Sequence, residues 1–194
     1  METLEKLFGG TGRVKLMRLF LFNPAENLTA KEISSRAKID SGRARKELNF
    51  LRNVGLIKRS ARRGSRPVWH LNEKFPYLSE IQKLMLQSSL VSPASIIKKL
   101  SKIGRLKALV LAGLFKEQWE DRLDMLVIAD GLKKGKIDSL MRTLEAEIGK
   151  EIRYAVLDTA DFKYRLGIGD KLIRDVLDYP HDIVLDKTNI VSVV

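Results

Sequence analysis

The stretch SGRARKELNFLRNVG, Ser41 to Gly55, carries the clearest fold signal in this chain. Four apolar residues recur in it at the three- and four-residue spacing that gives a helix one buried face: Ala44, Leu48, Leu51 and Val54. Five polar residues lie on the opposite face: Ser41, Arg43, Arg45, Lys46 and Asn49. Gly55 follows directly, where a left-handed residue often ends a helix. The pattern predicts a helix with a solvated face rich in groups that bind phosphates and base edges.

Two more helices are predicted before this stretch. The segment TGRVKLMRLFLF, Thr11 to Phe22, has apolar residues at helical spacing and precedes Asn23-Pro24, which stops a helix. The segment LTAKEISSRAKI opens with Thr29 and Glu32 at the spacing of a capping box. After the third helix, the segments LIKRS and VWHLN predict two short strands around a loop with a basic tip.

Three helices followed by a basic hairpin resemble a winged helix-turn-helix domain, and the resemblance covers roughly residues 8 to 75. In that family the third helix enters the major groove of DNA, and the wing lies against the backbone or the minor groove. The resemblance implies base and phosphate contacts from the five polar residues of the third helix. It implies four further contacts from the wing: Arg62, Arg63, Ser65 and Arg66. For the helix alone, a merely solvated face is the competing interpretation.

The charge of the chain is unevenly distributed, which supports a polyanion-binding module near the N-terminus. Residues 1–75 contain 17 Lys and Arg against 7 Asp and Glu, a net charge of +10, whereas the remainder has 19 against 17. There is no cysteine, so disulfides and thiolate metal sites are excluded. The two histidines are too few for a typical zinc site. No apolar run approaches the length of a membrane span, so a cytoplasmic protein without membrane contact is expected.

The second half of the chain alternates helical and strand patterns. Residues 76–92 predict a connecting helix and a linker, with a stripe of Leu78, Ile81, Leu84 and Met85 that fits either core packing or a dimer seam. Residues 93–194 predict a mixed sheet with helices. Ser92 and Pro93 start a helix that ends at Gly104, and LKALVLAGLF and LDMLVIAD read as neighbouring antiparallel strands. The predicted class is therefore α+β, with an N-terminal domain at 1–75 and a C-terminal domain at 93–194.

The order helix, strand, turn, strand carrying an aspartate, helix, strand resembles the minimal nucleotidyltransferase domain, over about residues 93 to 188. Active members carry Gly-Ser after the first strand, two aspartates one residue apart at the next strand, and a third carboxylate on a later strand. These groups hold two divalent cations that orient a nucleoside triphosphate.

This sequence departs from that motif at most of its positions. Gly113 is present, but Leu114 stands in place of the serine, and Arg122 replaces the first aspartate of the pair ending at Asp124. Arg153 best matches the third acid, although Glu151 is close in sequence. The resemblance therefore implies a catalytically degenerate domain that binds no metal or cofactor, in which Asp124 is a remnant paired with Arg122 or Arg153. A ligand cleft for a small anion is an open alternative: Gly113, Arg122, Asp124 and Arg153.

The sequence thus predicts a sequence-specific transcriptional regulator that binds double-stranded DNA as a homodimer. Its second domain, a pseudoenzyme, would contact a small anionic ligand, a protein partner or the second protomer. Two alternatives stay open. One is an active metal-dependent nucleotidyltransferase, antitoxin-like or modifying a protein or nucleic acid, recruited by its DNA-binding domain. The other is a scaffold that binds nucleic acid or a protein without sequence preference.

Overall fold

The computed structural model of the protein describes residues 3–61, 66–88, 91–116, 118, 123–187 and 189–191. It contains helices and two separate β-sheets, so the α+β class is confirmed. The chain divides into two compact units. Unit 1 comprises Met1–Val91 together with Arg142–Glu151, and unit 2 comprises Ser92–Met141 together with Ile152–Val194.

Unit 1 is built from helices and a small antiparallel sheet. The helices in the described part of residues 1–91 are α1 (Thr3–Leu7), α2 (Thr11–Leu21), α3 (Ala30–Ala37), α4 (Ser41–Val54) and α5 (Leu78–Gln87). The sheet has the strand order β1-β3-β2, with strands β1 (Leu28–Thr29), β2 (Ile57–Ser60) and β3 (Val68–Leu71). The predictions of α2, α3, α4 and the two hairpin strands β2 and β3 are confirmed, whereas α1 and β1 were not predicted.

Local side-chain signals fix the ends of α3 and α4. The Thr29 hydroxyl accepts a hydrogen bond from the Glu32 backbone N–H, and the Glu32 carboxylate accepts one from the Thr29 N–H at 2.7 Å, so the predicted capping box is confirmed. Asp40 caps α4 by accepting a hydrogen bond from the Arg43 N–H at 2.8 Å. Gly55 ends the helix in the left-handed region, as its place in the sequence predicts.

The core of unit 1 lies between α2, α3, α4 and the sheet. Ala44, Leu48 and Leu51 of α4 are buried as predicted, but Val54 is 50% exposed because it lies in the last helical turn, beyond the part of α4 that faces the core. Most of the α5 stripe belongs to this core, since Met85 is buried in it and Leu78 and Ile81 pack against the core. This packing favours the core interpretation of the stripe over a dimer seam.

Unit 2 contains the second sheet. Its strands are β4 (Arg105–Leu111), β5 (Met125–Asp130), β6 (Tyr154–Leu157) and β7 (Asp182–Asp186), in the order β6-β5-β4-β7. The β4–β5 pair is antiparallel as predicted, β4–β7 is also antiparallel, and β5–β6 is parallel. The helices are α6 (Pro93–Leu100), α7 (Lys134–Ile148), α8 (Thr159–Gly167) and α9 (Lys171–Leu177).

Three details of unit 2 differ from the expectations. Helix α6 ends at Leu100 rather than at Gly104, and the strand pattern LKALVLAGLF divides into β4 and a 3₁₀ turn at Gly113–Lys116. Helix α8 was not predicted; Asp158 caps it by accepting a hydrogen bond from the Asp161 N–H at 2.8 Å. By contrast, the continuous apolar run predicted for β5 is confirmed: residues 125–129 are buried, and strands flank β5 on both sides.

The end of α7 packs in unit 1. The Arg18 side chain on α2 is 1% exposed and donates hydrogen bonds to the Ser88 carbonyl and, at 3.1 Å, to the Glu147 carbonyl. Asn23 donates from its side-chain amide to the Gly149 carbonyl at 2.7 Å. None of the helices in the described ranges combines the length and apolar character needed to cross a bilayer.

Candidate nucleic-acid interface and the Asp124 site

The polar face of α4 is open to solvent. All five residues proposed as helix contacts are exposed: Ser41, Arg43, Arg45, Lys46 and Asn49. The opposite face of the helix is held by Ala44, Leu48 and Leu51, which are at most 2% exposed. Because the buried face fixes the rotation of the helix about its axis, Arg45, Lys46 and Asn49 are presented together on the side away from the core, whereas Ser41 and Arg43 lie at the two margins of that side.

Side chains of α2 and α4 contact each other beside the exposed face of α4. Arg13 forms an ion pair with Glu47 at 2.7 Å, and its guanidinium stacks on the Phe50 ring at 3.5 Å from the centroid. The Arg43 side chain leans across the first turn of α2, since a Cβ added to Gly12 would lie 2.8 Å from Arg43 Nε. Arg43 is therefore placed by the packing of α4 on α2, whereas Arg45 projects without a described ion-pair partner.

Residues that were not singled out from the sequence extend this exposed surface. Arg52 and Asn53 are exposed one turn beyond Asn49, and their three- and four-residue spacing from Asn49 is the signal that identifies them. On β2, Lys58 and Arg59 are exposed, and Arg59 lies with its guanidinium carbon 5.7 Å from the centroid of Trp69. The basic surface of unit 1 is thus wider than the predicted contact set.

The wing is only partly described. Arg66 is exposed, while Arg62, Arg63 and Ser65 lie outside the described residues. Trp69, on β3, is 6% exposed and belongs to the core of unit 1. Trp69 therefore packs the hairpin onto the helices.

Asp124 lies directly before β5 and is 1% exposed. Its Oδ1 accepts hydrogen bonds from the Leu114 backbone N–H at 2.8 Å and from Arg153 Nη2 at 3.2 Å. Its Oδ2 accepts from the Arg153 backbone N–H at 2.8 Å and from Arg153 Nε at 3.1 Å. Both oxygens of the carboxylate are therefore occupied by protein donors, and its charge is balanced by the Arg153 guanidinium.

Gly113 makes this arrangement possible. It has a φ of +44°, and a Cβ at this position would lie 2.3 Å from Asp124 Oδ1. The absence of a side chain lets the 3₁₀ turn bring the Leu114 N–H onto the carboxylate. Gly113, Asp124 and Arg153 are thus brought together in a filled ion-pair site, and the fourth predicted member of the cleft, Arg122, lies outside the described residues.

A divalent cation at Asp124 would have to displace Arg153. The guanidinium occupies the carboxylate oxygens and would repel a cation. Among the residues that the structure describes, no group of three or more His, Asp or Glu side chains is arranged to hold a metal ion. Lys116, near the same turn, is ion-paired with Asp182 at 3.0 Å.

Asp130, at the far end of β5, has a structural role. Its Oδ1 accepts a hydrogen bond from the Thr159 backbone N–H at 3.1 Å, which fixes the start of α8. The hydrogen bond from the Thr159 backbone N–H lowers the pKa of Asp130, and the nearby Lys107 and Arg105 lower it further.

Comparison with known proteins identifies no relative: no family model, no curated protein and no solved structure matches the chain.

Proposed function

We propose that the protein is a sequence-specific DNA-binding transcriptional regulator. Its unit 1 would act as a winged helix-turn-helix domain, and its unit 2 as a nucleotidyltransferase-like domain without catalytic activity. In this proposal a homodimer binds a two-fold related DNA site, with one copy of α4 in each half-site.

The observation that carries the proposal is the exposed face of α4. Arginine can pair bidentately with guanine and asparagine with adenine, so Arg45 and Asn49, one turn apart, provide two base-reading groups on one face. Lys46 beside them suits a phosphate contact. The net charge of +10 in residues 1–75 would supply the long-range attraction to DNA.

The non-catalytic assignment of unit 2 rests on the Asp124 site. A carboxylate that works on metal-bound substrate must be reachable, yet Asp124 is 1% exposed and holds four hydrogen bonds. An arginine lies where the fold resemblance implies a third metal-binding acid.

The test is selection from a pool of random DNA duplexes at about physiological salt. We expect the intact protein to enrich a two-fold symmetric motif. The double variant Arg45→Ala, Asn49→Ala should lose it, since each base-reading group contributes roughly 1–3 kcal/mol of discrimination. The matched control is Lys83→Ala, Gln87→Ala, which removes the same charge at the same spacing from the exposed side of α5.

Enrichment of one motif by the intact protein and the control, but not by the α4 variant, supports the proposal. If all three proteins retain DNA without a preferred sequence, the protein binds nucleic acid independently of sequence and is not a sequence-specific regulator. Retention of no DNA by the intact protein would overturn the proposal altogether.

A further inference from the structure

Unit 2 carries a concentrated basic surface of its own, although its segments are nearly neutral in total. Six exposed cations form it, and they are called the basic patch below: Lys98, Lys102, Arg105, Lys133, Lys134 and Lys136. The sequence contains no acid between Pro93 and Lys116, and none between Gly131 and Ile137. The positive charge of these two segments is therefore not offset within them.

The fold brings the two segments of the basic patch together. A Cβ added to Gly104 would lie 2.3 Å from Leu132 Cδ2, so the turn after α6 is in close contact with the loop before α7. In the same region Arg105, at the start of β4, is paired in register with Asp130, at the end of β5. The six cations accordingly lie around one end of the sheet in unit 2.

The carboxylates of this region offset only part of the charge of the basic patch: Asp130 lies opposite Arg105 in the β4–β5 pair, and the charge of Arg105 helps to lower the pKa of Asp130. Asp130 is engaged by the Thr159 N–H, and Asp138, on α7, accepts a hydrogen bond from the Tyr154 hydroxyl at 3.1 Å. None of the six cations forms an ion pair with a carboxylate in the described part of the chain.

Helix stabilisation does not explain the placement of the lysines on α7. The first turn of α7 contains Lys134 and Lys136 and no acid, although the N-terminal end of a helix favours negative charge. Like-charged neighbours in Lys133, Lys134 and Lys136 add repulsion. A bound polyanion would relieve both unfavourable terms.

We propose that the basic patch is a second nucleic-acid contact, which binds the phosphate backbone of duplex DNA without reading its sequence. The choice of DNA as the polyanion rests on the proposed function of unit 1. A patch of exposed lysines without exposed aromatic residues among them suits phosphates rather than unstacked bases.

The test uses the full chain carrying Arg45→Ala, Asn49→Ala, so that base reading by α4 is removed. Binding to a random-sequence duplex is measured by fluorescence anisotropy between about 50 and 200 mM salt. In that background, Lys102→Gln, Lys133→Gln should lower the affinity at low salt about tenfold. It should also reduce the slope of log affinity against log salt by about 2, because two phosphate contacts are lost.

The matched control is Lys163→Gln, Lys171→Gln, which removes two exposed lysines of unit 2 outside the basic patch. We expect its affinity and slope to stay close to those of the background protein. Equal effects of the two pairs would overturn the proposal, as would stronger binding of the background protein to anionic lipid vesicles than to the duplex.

Failure of the basic-patch proposal can be distinguished from failure of the proposed function. In the otherwise unaltered protein, Lys102→Gln, Lys133→Gln should keep any motif found by selection while binding it more weakly. A motif that persists with an unchanged salt slope contradicts the basic patch alone. Loss of duplex binding on patch substitution in a protein that selects no motif contradicts the regulator alone.

Discussion

Asp124 illustrates how a single residue changes its chemistry with its surroundings. It lies directly before β5, and its carboxylate accepts hydrogen bonds from the Leu114 N–H and from the backbone and guanidinium of Arg153. A buried charge is tolerated only when its partners satisfy it, and here four donors do so. The residue therefore acts as a link between the Gly113 turn and the segment leading into β6.

The first prediction is that Asp124→Asn destabilises unit 2 by about 2–4 kcal/mol. The substitution places an amide N–H₂ against N–H donors and leaves the Arg153 guanidinium without its counter-charge. Urea unfolding followed by circular dichroism measures the change. If Asp124 were instead an unpaired metal-binding acid, Asp124→Asn would raise the free energy of unfolding, because the substitution would relieve strain at an active site.

The control for this prediction is Asp178→Asn, which breaks the exposed i,i+4 ion pair of Asp178 with Arg174. Such pairs contribute about 0.5 kcal/mol or less. A loss of stability in Asp124→Asn no larger than in the control would show that the buried ion pair is not needed for the fold.

At the scale of elements, the ends of helices were predictable where two residues close in sequence cap each other. Thr29 and Glu32 cap the start of α3, and Gly55 ends α4 directly after its apolar run. Each of these signals involves residues within three or four positions, so its geometry follows from the helix itself. The exposure of Val54 and the division of LKALVLAGLF into β4 and a turn were not predictable in this way. They depend on where neighbouring elements end.

The second prediction concerns the pH dependence of the α3 cap. Hydrogen bonds from the backbone and side chain of Thr29 lower the pKa of Glu32 from its ordinary value of 4.5. A carboxyl whose pKa is lowered on folding stabilises the fold fully above 4.5, and this contribution is lost as the pH falls through the folded-state pKa. Thr29→Ala should therefore cost about 1 kcal/mol at pH 7 and less at pH 3.

Urea unfolding of the wild-type protein and of Thr29→Ala at the two pH values measures this difference. The control is Glu32→Gln, which should remove the pH-dependent part of the effect while retaining the Thr29 hydroxyl as a cap. An equal cost of Thr29→Ala at both pH values would show that the ionised Glu32 contributes nothing to the cap.

At the scale of the whole molecule, unit 1 is completed by a distant part of the sequence. Gly149 has a φ of +86°, and a Cβ there would lie 2.6 Å from the backbone carbon and the Cβ of Arg18. The side chains of Arg18 and Asn23 hold the same segment through its carbonyl groups. This close approach needs both a left-handed backbone and the absence of a side chain at residue 149.

The third prediction follows from this contact. Gly149→Ala should destabilise unit 1 by about 2–4 kcal/mol, because backbone strain adds to a clash with the backbone of α2. The control is Gly131→Ala, since Gly131 also has a positive φ of +70° but has no atom within 4 Å of an added Cβ. We expect the control to cost only about 1 kcal/mol in urea unfolding. Equal losses would mean that the approach of residue 149 to α2 is not tightly packed.

The sequence by itself determined the α+β class, the positions of α2 to α4, the hairpin strands and the exposed polar face of α4. These follow from periodicity, capping and turn residues, which act over a few positions. It left open which arginine pairs with Asp124, whether the α5 stripe is core, and that Arg142–Glu151 joins the N-terminal unit. Only the tertiary structure decided these points. They depend on contacts between residues up to 129 positions apart, and no local pattern specifies such contacts.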